Sequence, residues 1–146
     1  MRHSTSDNSV RLDIPDDWDI WDGGDDDLFV AAAPEEDENE IQPQLLVTRE
    51  SNAASDSESY MVGNVAFLQS GVADYVGHGS GSFSCDGYDV AWHEFTSSQT
   101  GFTLTAISYF IVFGDSAYQF QFKAHPDLFG RWRSPFEEIV RTLSFT

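Results

Sequence analysis

His78, His93, His125 and Cys85 are side chains able to hold a transition metal, and their spacing argues against it. No two of them stand in His-x-x-x-His or Cys-x-x-Cys register, so no metal centre is expected. The tract Gly77-His78-Gly79-Ser80-Gly81 superficially resembles a phosphate loop. A phosphate cradle needs an apolar strand before it and a helix N-terminus after it. Both flanks here read as strand, so the tract is expected to be a flexible edge strand. Asp22-Gly23-Gly24-Asp25-Asp26-Asp27 places carboxylates on a Gly-containing loop. That suits a divalent cation, although the spaced ligands and distal glutamate of an EF-hand are missing. Serine, histidine and acids are all present, without a Gly-x-Ser-x-Gly elbow or other helpful spacing. The chain therefore reads as non-enzymatic, with no cofactor.

Trp18 and Trp21, set among aspartates, are the most informative pair. Tryptophan is well buried on average, so a core plug is the ordinary expectation for such a ring. Trp21 is expected outside, where an aromatic ringed by acids suits a partner segment carrying Lys or Arg. The candidate partner site is Trp21, Asp22, Asp25, Asp26, Asp27, Glu35, Glu36 and Glu38.

The charge pattern agrees. The net charge is −18, with −14 in residues 1–60 and −4 in residues 61–146. Such a field repels phosphate backbones, so nucleic acid and anionic membranes are poor partners, while basic proteins and cations remain open. One lysine against 16 aspartates equally fits a charge that serves solubility alone. At 146 residues with 40% apolar side chains, the chain suits one domain with a real core. It has no apolar run long enough to span a membrane and no signal-peptide core. Its single cysteine forbids an internal disulfide. A cytoplasmic location is expected.

The elements that must position these residues are mostly strands. Residues 1–9 read as a flexible tail. Val10–Ile14 alternates and stops at Pro15. Leu28–Ala33 and Gln44–Arg49 read as further strands, divided by the acidic loops. Ser57 or Ser59 could cap a helix to about Gln69, which Gly63 weakens by about 1 kcal/mol. Asp74–Ser84 and Tyr88–Phe95 form strands around a turn at Asp86-Gly87. Thr103–Phe113 is apolar on both faces, which requires cover on both sides. Beyond the turn at Gly114-Asp115, Tyr118, Phe120 and Phe122 alternate with Gln119, Gln121 and Lys123, so a one-residue slip would expose three aromatics. Ser134 and Glu137 read as a capping box with Pro135 at the first helical position, ahead of Phe136, Ile139, Val140 and Leu143.

This order of elements resembles the Mog1/PsbP-like fold, including bacterial proteins of the DUF1795 type. The family opening, a strand into a Pro-x-x-Trp turn, matches Leu12-Asp13-Ile14-Pro15-Asp16-Asp17-Trp18, which implies that Trp18 is the family's structural tryptophan and plugs the core. A second family strand matches Leu45-Leu46-Val47-Thr48-Arg49, and the family's closing helix with its terminal Ser-Phe resembles Phe136–Phe145. The resemblance spans nearly all of residues 10–146 and implies a single α+β domain, an antiparallel sheet flanked by helices on both faces. Such proteins include a Ran-binding nuclear factor, photosystem subunits, mycobacterial lipoproteins and secretion-effector chaperones. It therefore implies a role in binding other proteins and does not choose among them. The resulting expectation is an adaptor or chaperone-like protein whose acidic surface engages a basic partner. The alternative is a small-ligand or divalent-cation-binding module built on the acidic loops. The surface bearing Gln119, Gln121 and Lys123 is a second candidate contact, including one between two copies in a homodimer.

Overall fold

The doubly apolar run becomes β8 (Phe102–Phe113), buried from Thr105 to Ile111 at the heart of the larger sheet. The structure is a computed structural model that describes residues 1–21, 27–34, 42–51, 56–85, 87–99 and 101–145, with backbone only at 27 and 99. Long antiparallel neighbours flank β8: β7 (Tyr88–Gln99) and β9 (Ser116–Ala124). Outside these lie β6 (Val76–Cys85) beyond β7, and β5 (Gln44–Ser51), β4 (Asp27–Ala32) and β3 (Asp19–Trp21) beyond β9. The order across the sheet is β3-β4-β5-β9-β8-β7-β6, so β3 and β6 are its edges. A smaller sheet joins β1 (Arg2–Ser4), β2 (Val10–Asp13) and β10 (Ser144–Phe145), with β2 in the middle.

Side chains alternate along β8, so its two faces meet different partners. Ala106 and Phe110 lie against helix α1 (Ser57–Gly71), whose Met61 and Leu68 also meet Ala91 and Phe95. Ile107, Tyr109 and Ile111 belong to the main core, with Phe120 and Phe122 of β9 and Phe129, Phe136, Ile139 and Val140 of α2 (Pro126–Val140). Trp18 is buried in that core, edge-on to Trp132 at 5.7 Å and to Phe136 at 6.5 Å.

Three local expectations need correction. The first concerns residues 1–9, which are not a tail. Residues 2–4 form β1, paired antiparallel with β2. Arg2 ties the pair to the C-terminus by donating to the Thr142 carbonyl at 2.6 Å and the Ser144 hydroxyl at 2.7 Å. Asp7 organises the turn, accepting from the Thr5 hydroxyl (2.8 Å), the Ser9 hydroxyl (2.7 Å) and Arg49 (2.6 Å). Partial burial would push the Asp7 carboxyl up, but these bonds outweigh it and hold the group well below the usual carboxylate range.

The second concerns the closing helix, which starts at Pro126 rather than Ser134, after His125, whose Nδ1 accepts from the Asp127 N–H at 3.2 Å. Pro135 lies inside it. An interior proline costs about 3 kcal/mol or more, and the apolar row Phe129, Phe136, Ile139, Val140 continues straight through it to offset that cost. The third is the cap of α1, which is Asp56 and not a serine: its carboxylate accepts from the Ser59 N–H at 2.7 Å. Ser57 turns inward instead, donating to the Asp89 carbonyl (2.8 Å) and accepting from the Val112 N–H (2.9 Å).

Candidate functional site

Trp21 ends the edge strand β3, opposite Val30 of β4. It is 50% exposed, and the preceding Ile20 is 37% exposed. Neighbours along a strand point to opposite faces, so this short edge shows a large apolar group on each side. Asp16, Asp17 and Asp19, all exposed, precede them. Of the remaining candidate residues, Asp22, Asp25, Asp26, Glu35, Glu36 and Glu38 lie outside the described residues. Asp27 is placed by its backbone, opposite Thr48.

Register then brings the two candidate contacts onto one face. Trp21 pairs with Val30, Val30 with Leu46, Leu46 with Gln121, and Gln121 with Ser108. Val30, Leu46, Thr48, Gln119, Gln121 and Lys123 share that face and are half-buried. It is the face on which α1 sits, but α1 packs across β7 and β8. Gln119 and Gln121 both donate to the buried Ser108 hydroxyl, at 3.2 and 3.3 Å, which fixes their amides. Burial lowers the Lys123 ammonium from its ordinary value.

Beyond Ser108 the same row reaches His93 and then Ser80 on β6. His93 is 5% exposed. Its Nδ1 lies 2.6 Å from the Ser80 hydroxyl, and its Nε2 is hydrogen-bonded to the Tyr75 hydroxyl. This cluster was absent from the sequence reading. A signal for it existed, because a two-residue turn pairs Cys85 with Tyr88 and hence Ser80 with His93, five residues along each strand. Among the described residues no acid is hydrogen-bonded to the imidazole. Each ring nitrogen meets a hydroxyl, so the cluster reads as a tie between β6, β7 and the Tyr75 segment.

Burial pushes the His93 imidazole down, aided by His78 and opposed by Glu94 and a backbone bond to Gly79. The unfolded chain, with its histidine near the ordinary 6.5, therefore takes up a proton first as pH falls. This contribution to stability is fully present above that value and is lost as pH drops below it. The urea midpoint should fall between pH 7.5 and 5.5, and His93→Gln should flatten the fall. An unchanged slope in that variant would assign the pH dependence elsewhere.

Among the described residues no group of three or more His, Cys, Asp or Glu could hold a metal ion. The Asp22–Asp26 segment of the cation alternative is outside them. Among the described residues no helix is long and apolar enough to cross a membrane.

No family model matches the chain, and no curated protein does. Solved structures do match. LpqN of Mycobacterium tuberculosis, involved in cell envelope biogenesis, superposes with a TM-score of 0.70 at 13% identity, over 100% of this chain and 90% of its own. A cyanobacterial PsbP from Synechocystis gives 0.72 at 12% identity, over 100% and 92%. PA94 of Pseudomonas aeruginosa, a protein of unknown function, gives 0.71 at 12% identity, over 100% and 96%. These likenesses establish the α+β fold of this chain as Mog1/PsbP-like and, at such identities, they establish the fold alone.

Proposed function

We propose that this protein is a non-enzymatic, protein-binding adaptor that receives a basic partner around Trp21. The observation that carries the reading is the half-exposed Trp21 on an edge strand, preceded by three exposed aspartates and sharing a face with Leu46, Gln121 and Lys123. Isolated exposed apolar residues are ordinary. A half-exposed tryptophan at a sheet edge, in a field of −18, has the make-up of an interface anchor with electrostatic steering. The three neighbours described above bear no enzymatic names, which is compatible with this reading.

The test is affinity capture from native-host lysate at low and high salt, with the wild-type chain and Trp21→Ala side by side. A partner held at low salt, shed at high salt and captured at least tenfold less well by the variant is the expected result. The variant's thermal midpoint should stay near the wild-type value, since the ring is half in water. Equal capture by Trp21→Ala, or capture indifferent to salt, removes this surface as the partner site.

A further inference from the structure

The opposite edge of the sheet carries a second surface, independent of the Trp21 reading. We propose that β6 is a strand-addition site for an extended peptide that alternates basic and apolar side chains. β6 is bonded to β7 on one side, and among the described residues no strand pairs with the other. An edge strand presents a row of unpaired N–H and C=O groups there, and natural edges are commonly blocked by charges, proline, short length or bulges. Val76–Cys85 contains no Lys, Arg, Asp, Glu or Pro. Its one irregularity lies between Gly77 and Gly79, after which Gly79–Cys85 keeps unbroken register with β7. The other edge, β3, has 3 residues against the 10 of β6.

The two faces along this edge select the occupant. Ser80, Ser82 and Ser84 share the α1 face with Ala91 and His93. Between β6 and the first turn of α1 lies a cavity of about 440 Å³ lined by Asp56, Glu58, Asp89, Ser82 and Ser84, with no Lys or Arg among the described residues of its wall. A lysine or arginine on an added strand would reach into these carboxylates. On the α2 face, the Trp92 indole lies across Gly81, with Arg133 5.2 Å above the ring and held by Glu94 at 2.8 Å. Arg141 covers Phe83 at 4.4 Å. That side offers aromatic surface already topped by cations, which accepts an apolar side chain and repels a basic one. Period-two alternation of a strand meets both demands at once. A second copy of the chain is the poorer occupant, because it would bring the same carboxylates and another charge of −18 to the edge.

The probe is a blocked peptide of about eight residues alternating lysine with valine, beside a counterpart alternating glutamate with valine. The lysine peptide should bind and slow amide exchange at least tenfold at the outward-facing N–H groups of Gly79–Cys85, while the glutamate peptide should not bind. Glu58→Gln with Asp89→Asn should raise the Kd at least tenfold. If that double variant misfolds, Ser82→Lys, which sets a cation of the chain's own in the cavity from an exposed position, should produce the same loss. Trp21→Ala should bind the peptide like wild type, which separates failure here from failure of the Trp21 surface. Binding without slowed exchange in β6, or undiminished binding by the charge variants, overturns the proposal. Slowed exchange that rises with protein concentration alone would replace the peptide by a second copy.

Discussion

Phe136→Ala lowers the unfolding free energy by about 3–5 kcal/mol, as expected for truncating a fully buried phenylalanine. Phe136 is 0% exposed. Its ring stacks on Phe122 of β9 at 4.6 Å, and it meets Trp132 at 6.1 Å, Phe129 at 6.0 Å and the edge of Trp18 at 6.5 Å. These neighbours come from the Pro15–Trp18 turn, the central sheet and α2 itself, so the cavity has rigid walls and cannot collapse cheaply. The residue also follows Pro135, where the helix has lost a backbone bond and depends on its packed face. Urea unfolding should show a lower midpoint with an unchanged slope. A loss under about 1 kcal/mol would mean that the site relaxes around the gap, and that the aromatic cluster is not what holds α2 to the sheet.

Gly81→Ala destabilises the protein by about 1–3 kcal/mol, the usual range for overpacking. Strand propensity argues for the opposite sign, because glycine weakens a strand interior. Packing decides against propensity here. A Cβ at Gly81 would stand 2.7–2.8 Å from three atoms of the Trp92 indole. The indole cannot simply swing away, because the Arg133 guanidinium lies over it and is itself bonded to Glu94. Trp92→Leu in the same background should recover much of the loss, because the shorter side chain vacates the space. If Gly81→Ala is stabilising, the ring moves freely, and the aromatic surface assigned to the α2 face of β6 is not preformed. The positive φ of Gly87, +85°, makes a different demand, namely a turn conformation with no neighbour in the way.

The strands were legible wherever burial wrote a period of two into the chain. Tyr118-Gln119-Phe120-Gln121-Phe122-Lys123 declares both its faces, and the double-sided apolar run at 103–113 declares a central strand. The resemblance at Pro15-to-Trp18 implied a buried indole, and Trp18 is one. Failures came where a local cue had two uses. Ser134-Pro135 has the grammar of a helix start, yet Pro126 offers the same licence nine residues earlier, and the apolar row of α2 runs from Phe129 onwards. The N-terminal residues are polar and read as tail, because what orders them is distant. Arg2 finds Thr142 and Ser144, and Asp7 finds Arg49.

By itself the sequence determined the strand alternation, the Gly- and Ser-rich character of Val76–Cys85, free of Lys, Arg, Asp and Glu, and the excess negative charge of the first half. These are local properties, set by side-chain type and backbone preference within a few residues. Only the tertiary structure decided which residues share a row. Strand order and register place Trp21, Val30, Leu46, Gln121, Ser108, His93 and Ser80 in one line across seven strands. The same non-local pairing leaves β6 open beside the carboxylates of α1 and β7. Each strand states its own faces, but which strand lies beside it depends on burial summed over the whole core.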